Sequence, residues 1–433
     1  MKVVISSVTK QHAYPIALAA YESGLLKQFV TSIYYEPNSL RYRLLDRIVK
    51  TMPQNGDRAR LKARRQEGLP TTHVVSIAWP EVIEQVWKRS RMLSKVINPD
   101  SVTYLKNELF DFLVAQLYLP PCDLFHGFEQ CALFSLRRAK QRGAITLLDE
   151  PVIHRALWDR LESQERQKLG LPSPKRPLWY HKHIERKYKE LELADYLFVG
   201  LDFVKRSFVE KGFPADRIFL IPYGADISAA SRSIERPRRR TFNILFVGQI
   251  SWYKGLHYFL EAYDKLKLQD VSLTIVGMVH SEWMAYFQER FRRVRNPLVY
   301  LGTVPHSEMP KYYADADVFV FPSLGGGIGL AVYEAMAAGL PIITADGDVV
   351  IRDGVDGLVV PPEDTDGWVK ALTRLKEHEE LRIQLGANAA QRVREFGWGA
   401  YRAGVVQAYQ EIGRREGILK ASRSSAADQV GCK

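Results

Sequence analysis

FPSLGGGIGLAVYEAMAAGLP, residues 321 to 341, changes character twice within a short span. An apolar strand ends at Phe321, a glycine cluster follows, and Leu330 to Ala338 then reads as a helix of good formers closed by Gly339 and Pro341. Strand, glycine loop and helix start, in that order, make an anion site. Glycines let the backbone approach a phosphate closely, and the unpaired amides of the first helical turn face it together with the positive end of the helix dipole. The same letters also suit a tight turn packed against a sheet. Glu334, one turn into the helix, favours the anion site, because a carboxylate just beyond a phosphate cradle can accept bonds from ribose hydroxyls. Its other reading is a solvated helix face.

The surrounding sequence repeats this alternation. Short β-branched and aliphatic runs separate longer helix-compatible segments, which predicts parallel sheets covered by helices and an α/β class. The runs are Val3 to Ser6, Val74 to Ile77, Asp123 to His126, Ala144 to Leu148, Tyr196 to Val199, Phe219 to Ile221, Asn243 to Val247, Ser272 to Val276, Leu298 to Leu301 and Val318 to Phe321. They are too many for one small doubly wound sheet. Between Asp226 and Thr241 the text becomes ISAASRSIERPRRR, polar, basic and without apolar periodicity, the best linker in the chain. FNILFVG then starts a second half much as MKVVISS starts the first, so two Rossmann-like units in tandem are expected. The expected division is 1–226, a basic linker 227–240, 241–397, a helix over 398–419, and a frayed tail over 420–433.

A second site segment is FVGQISWYKG, residues 246 to 255, again strand, glycine and loop. Leu256, Phe259, Leu260 and Tyr263 follow at helical spacing and fix one face on the core. Lys254 thus sits near a helix start, where a cation is unfavourable unless it has an anion to hold. A diphosphate would supply one, although a loop lysine is more commonly just solvated.

Taken together, VGQISWYKG (247–255), LGTV (301–304), YYADADVFVFPS (312–323), GGGIGLAVYEAMAAGLPII (325–343) and DGVDGLVVPPED (353–364) resemble the C-terminal half of glycosyltransferase family 4, retaining enzymes of the GT-B fold. IERKYKELELADYLFVGLDFVKRSFVEKGFPADRIFLIPYGAD (184–226) extends the likeness into the first half. The resemblance implies two Rossmann-like domains facing each other across a cleft, with a nucleotide diphosphate sugar held by the second and the acceptor by the first. It implies a ribose contact for Glu334, diphosphate contacts for Lys254, Gly248 and Gln249, and phosphate-binding amides at Gly326, Gly327, Ile328, Gly329 and Leu330. Backbone around Thr303 and Val304 would line the nucleobase slot. It further implies transfer with retention, by front-face attack assisted by the leaving phosphate, with no cofactor beyond the nucleotide sugar and no metal. ADAD at 314–317 reads as a helix end feeding a strand.

Three departures stand out. The family pattern has a second glutamate eight residues before Glu334, where this chain has Gly326. The arginine usual after the first strand's glycine is Gln249. The glycine pair usual in the first strand-to-helix loop is replaced by SSVTKQHAYP, which places Lys10 and His12 as possible cleft residues. In DLFHGFEQ (123–130), His126 and Glu129 are the candidates to orient the acceptor or take its proton, and LLDEPVIHR (147–155) adds Asp149, Glu150 and His154 at another strand end. A histidine at a strand end is also commonly satisfied locally.

Composition bounds the rest. A chain of 433 residues, 25% charged and 46% apolar, describes a globular protein rather than a disordered one. Three cysteines without CxxC spacing exclude a disulfide framework and argue for a reducing interior. The N-terminal apolar run is too short for a signal peptide, and the apolar stretch 318–345 is broken by Pro322, by Gly325, Gly326, Gly327 and Gly329, by Glu334 and by Pro341, so no spanning helix is expected. A cytoplasmic protein follows, peripheral at the inner membrane face if its charge has a lipid partner. The formal charge of +12 is uneven. Arg41 to Arg65 holds nine basic residues against two acidic ones, a net of +7, and Arg232 to Arg240 holds five against one. The first patch suits an anionic membrane or a lipid-linked acceptor; no nucleic-acid motif accompanies it, so nucleic acid is not an expected partner. The main rival reading is a degenerate GT-B protein that binds nucleotide or glycan without turnover, motivated by Gly326 and Gln249.

Overall fold

The computed structural model describes residues 1–10, 12–36, 64–90, 99–227, 241–325, 329–345 and 350–419. The linker residues 228–240, most of the Arg41 to Arg65 patch, the tail from 420, and Gly326, Gly327 and Ile328 lie outside the described residues.

Two sheets carry the chain. The first has the order β3-β2-β1-β4-β5-β6-β7, from β1 (Val3–Ser7), β2 (Leu26–Thr31), β3 (Val74–Ser76), β4 (Leu124–Phe128), β5 (Ile145–Asp149), β6 (Tyr196–Val199) and β7 (Ile218–Leu220). The second has the order β10-β9-β8-β11-β12-β13, from β8 (Phe242–Val247), β9 (Val271–Val276), β10 (Leu298–Gly302), β11 (Val318–Phe321), β12 (Ile342–Thr344) and β13 (Gly357–Val359). Every pairing in the second sheet is parallel, as are those joining β1 to β2 and β4, β2 to β3, and β4 to β5. Both sheets reverse their winding next to their first strand, between β1 and β4 and between β8 and β11. Open parallel sheets bind ligands at such reversals, outside the carboxyl ends of the strands.

The helices are α1 (Ala13–Glu22), α2 (Trp79–Arg89), α3 (Pro99–Leu113), α4 (Leu133–Gln141), α5 (Arg155–Lys168), α6 (Leu178–Leu193), α7 (Asp202–Val209), α8 (Leu256–Lys265), α9 (Met284–Arg293), α10 (Met309–Asp315), α11 (Leu330–Ala337), α12 (Thr365–Glu377), α13 (Glu379–Arg392) and α14 (Trp398–Arg415). The pleat sorts the second sheet's side chains to two faces. Phe242, Ile244 and Phe246 of β8 pack with Leu256, Phe259, Leu260 and Tyr263 of α8, the residues whose spacing predicted that face, and with Trp368 and Leu372. Leu245, Phe319, Phe321 and Ile342 pack on the other side with Met336, Ala389 and Val393.

Contacts group the chain into two compact units that are discontinuous in sequence. One comprises Met1–Asp149, Pro177–Leu197 and Arg402–Lys433; the other comprises Glu150–Arg176 and Phe198–Tyr401. They differ from a contiguous division at the linker over residues 150–176 and 198–226, which group with the second unit. For the first of these segments the reason is visible in its packing. Trp158 of α5 lies 5.1 Å from the ring of Trp252 and 4.9 Å from that of Tyr253, and Glu165 of the same helix bonds both His257 and Tyr258.

Candidate functional site

In the second unit the loops that follow β8 and β11 meet. Gly255 has φ +62°, and a β-carbon there would collide with the carbonyl oxygen of Pro322, so only glycine allows the approach. The Leu324 amide donates to the Tyr253 carbonyl at 2.8 Å, and the Ser323 hydroxyl donates to the same oxygen at 3.2 Å. This joint fixes Lys254. Its stem is buried and its ammonium lies 4.7 Å from the Phe321 ring centroid and 5.1 Å from that of Tyr253, held by two π faces in a dry setting where a cation interacts strongly with an anion. Beside it the Tyr253 hydroxyl donates to Gln249 Oε1 at 2.9 Å, which turns the amide's two N–H donors away from Tyr253. Burial raises the Tyr253 phenol, so it stays a donor.

Gly329 precedes α11 and packs so tightly on the Phe321 ring that a β-carbon has no room, while Leu330 opens the helix half-exposed. The first turn of α11 carries no acidic side chain, so nothing on that turn neutralises the positive end of its dipole. Glu334 sits one turn further on. Its Oε2 accepts a 2.7 Å bond from the buried Tyr313 hydroxyl of α10, and Nδ1 of the exposed His306 lies 4.0 Å from Oε1. Burial and the neighbouring Glu334 charge push the Tyr313 phenol far up, so it remains protonated and donating. Val304 lies partly buried against the same core face as Phe321. The donor candidates Gly248, Gln249, Lys254, Gly329, Leu330 and Glu334 therefore all belong to the β8 and β11 switch-point loops and the helix that follows. Gly325, at φ +111°, is pressed against the Phe203 ring of α7.

In the first unit the candidates separate. His126 lies within β4 with no exposed surface. Its Nδ1 is 2.7 Å from the Tyr409 hydroxyl, its Nε2 3.8 Å from Asp149 Oδ2, and its ring stacks on Phe128. Burial pushes its pKa down. His126 thus faces Tyr409 and Asp149 and has no exposed surface. His12, at the start of α1, is the second partner of that carboxylate, with Nε2 2.8 Å from Asp149 Oδ1. Burial alone would raise Asp149, but the two imidazoles outweigh it and hold the carboxyl at about 2. Glu129 forms an ion pair with Lys187 at 2.5 Å. Lys10 is exposed, with its pKa lowered by partial burial. His154 is buried in the second unit as the cap of α5, its Nδ1 accepting from the Ala156 amide and its ring edge-on to Phe208, which makes it a structural histidine.

The N-terminus of α4, beside the first sheet's own switch point, is already filled. Glu190 accepts from the amides of Gln130, Ala132 and Leu133, Asp111 accepts from those of Phe134 and Ser135, and Arg186 bridges the two carboxylates. Among the described residues no group of three His, Cys, Asp or Glu side chains is placed to hold a metal ion, and no helix is long and apolar enough to cross a membrane.

Solved structures place the architecture. Anabaena HepE, solved with UDP and glucose, superposes with a TM-score of 0.61 over 95% of this chain and 100% of its own at 14% identity. The sucrose-phosphate synthase of Thermosynechococcus elongatus does so with 0.59 over 96% and 100% at 16% identity. At such identities the likeness speaks for fold alone, and the fold is GT-B, built from two Rossmann-like α/β units. Residues 241–378 match the model of the family described as glycosyl transferases group 1, so this segment is a group 1 glycosyltransferase domain. Among curated relatives, the phosphatidyl-myo-inositol mannosyltransferase of Mycolicibacterium smegmatis is 30% identical over 201 residues, 44% of this chain and 51% of that protein. The D-inositol 3-phosphate glycosyltransferase of Paenarthrobacter aurescens is 29% identical over 216 residues, 46% of this chain and 53% of that protein. The chain spans about half the length of the curated relatives it matches.

Proposed function

We propose that the chain is a retaining glycosyltransferase that moves a sugar from a nucleotide diphosphate sugar to an acceptor hydroxyl, in the synthesis of a polysaccharide, glycolipid or other glycoconjugate. The observation that carries this reading is the joint of the β8 and β11 loops. It sets a desolvated lysine, the start of α11 and a tyrosine-braced Glu334 on consecutive loops of one sheet edge. Lys254 and the α11 amides would take the charge of the departing diphosphate, Glu334 would hold the ribose, and the Gln249 amide would donate where a charged partner is lacking. No metal is required for that division of labour. Acceptors are saccharide or lipid-linked, and the Arg41 to Arg65 segment is the part offered to an anionic membrane face. The degenerate alternative, binding without turnover, is favoured by Gly326 and Gln249.

The test is incubation with a panel of uridine, guanosine and adenosine diphosphate sugars while following nucleotide release, beside the Glu334→Ala variant. Turnover with at least one donor that the variant loses is expected. Binding without release from any donor would leave the degenerate reading standing.

A further inference from the structure

Helix α5 follows β5 in the chain but packs within the second unit, and it does so on the turn that carries Lys254. That turn, Trp252–Lys254, is short enough that its three residues move together. Its two aromatic members both meet α5. The Trp158 ring stands edge-on to Trp252 at 5.1 Å and tilted to Tyr253 at 4.9 Å, and Trp252 and Tyr253 are themselves edge-on at 5.8 Å, so three rings close on one another in geometries that aromatic pairs favour. Trp252 is almost fully buried, while Trp158 and Tyr253 border the same core.

Tyr253 is the member through which the packing reaches the anion site. Its ring lies 5.1 Å from the Lys254 ammonium, its hydroxyl donates to Gln249, and its carbonyl accepts from Ser323 and Leu324 of the other loop. The rest of α5 is anchored independently of Trp158. Glu165 lies 3.1 Å from His257 Nε2 and accepts from the Tyr258 hydroxyl at 2.9 Å, Lys168 pairs with Glu165 and Glu363 at 3.1 and 2.6 Å, and Arg166 pairs with Glu282 at 3.1 Å while lying 4.7 Å from the Trp283 ring centroid. The helix therefore delivers one indole to Tyr253 from a fixed place. Glu334 is steadied separately, by Tyr313, so the two halves of the site have separate supports.

We infer that Trp158 is a positioning residue for the anion site: its indole holds the Tyr253 ring, and through it the Lys254 ammonium and the Gln249 amide, where a diphosphate meets them. The role rests on the reading proposed above for the identity of the anion, and on the ring packing alone for the bracing of Lys254. Without the indole, Tyr253 is free to turn, the cation loses one of its two π faces, and the amide loses the hydroxyl that orients it. The effect falls on phosphate binding and spares the ribose contact expected of Glu334.

The experiment compares the full wild-type chain with Trp158→Leu, which keeps an apolar side chain but no ring, with Trp158→Phe, and with Lys168→Ala, which loosens α5 elsewhere. Should Trp158→Leu not fold, Trp158→Met carries the same expectations. The first readout needs no nucleotide: a brief pulse of an acetylating ester, with Lys254 modification read by peptide mass spectrometry against the half-exposed Lys265. The second is affinity for uridine, guanosine and adenosine diphosphates and for the corresponding nucleosides. In Trp158→Leu, Lys254 is expected to acetylate faster relative to Lys265, and affinity for the bound diphosphate to fall about tenfold, the scale of one desolvated cation–π contact, with nucleoside affinity unchanged. Trp158→Phe is expected to recover most of both, and Lys168→Ala to change neither. Unchanged acetylation or unchanged diphosphate affinity in Trp158→Leu, equal losses for nucleoside and diphosphate, or the same losses in Lys168→Ala would each overturn the inference. Failure of wild type to bind any of the diphosphates would overturn the nucleotide reading and the anion role with it, while the acetylation ratio still decides whether Trp158 holds Lys254.

Discussion

Replacing Tyr313 by phenylalanine removes one hydroxyl from the second unit and keeps the ring. In the structure that hydroxyl donates to Glu334 Oε2 at 2.7 Å, the phenol is buried, and the glutamate side chain is 27% exposed. A hydrogen bond to a charged group is worth about 1.5–3 kcal/mol. Partial exposure of Glu334 places this bond at the lower end, about 1.5 kcal/mol, which is roughly a factor of ten in an equilibrium constant. Without the brace the carboxylate samples other rotamers, and a ligand that needs it in place loses that factor. The assay is calorimetric affinity for a nucleoside diphosphate and for its 2′,3′-dideoxy form, in wild type and Tyr313→Phe. The ribose form is expected to bind the variant about tenfold more weakly, and the dideoxy form to change little, because it makes no bond that the carboxylate must be held for. Equal losses for both forms would mean that Tyr313 only packs, and no loss for either would refute the bracing of Glu334.

Two further outcomes are expected from the packing around Gly325 and Asp149. Gly325→Ala puts a β-carbon into the Phe203 ring at φ +111°, so unfolding stability is expected to fall by about 2–3 kcal/mol; adding Phe203→Ala relieves the clash but not the backbone strain, so denaturant unfolding of the double variant should show only part of it restored. Asp149 titrates near 2 in the folded chain against 3.8 for an ordinary aspartate, so between those values the unfolded chain binds more protons. Its contribution, about 2 kcal/mol, is present above pH 4 and lost as pH falls from about 4 to 2; urea unfolding across that window should show a limb that Asp149→Asn lacks.

The parts of the molecule that could be read from the sequence are those whose physics is local. All ten β-branched runs fall on strands, because a strand buried on both faces writes a continuous apolar run of four or five letters. The strands that escaped are β2, whose Lys27 and Gln28 interrupt the apolar run, and β12 and β13, three residues each. The candidate anion site was legible for the same reason, since Gly255, Lys254, Gly329 and Glu334 each lie within a few residues of a strand end or helix start. Tyr313 was not, because its meaning depends on a helix twenty-one residues away. His126 shows the converse case. A histidine on a strand next to the winding reversal reads as a site residue, yet what decides its role is Tyr409, 283 residues downstream, closing over it from α14. The orientation of α2 is likewise not written locally: Glu81 and Glu84 are buried while Ile83 and Val86 are exposed, because Arg64, Lys106 and Thr103 meet the two carboxylates.

The interleaving of the two units has a consequence for recombination. The chain passes from one unit to the other four times, at residues near 150, 177, 198 and 402. A chimera that takes its second half from a relative by a single exchange at the linker would separate Trp158 and Glu165 from Trp252, Tyr253 and His257, and would graft a foreign partner onto His126 in place of Tyr409. Modular as the two sheets look, the heritable unit is a mosaic. Segments 150–176 and 198–226 travel with the second sheet and the last helix with the first, and a chimera that respects those four junctions is expected to keep both cores intact.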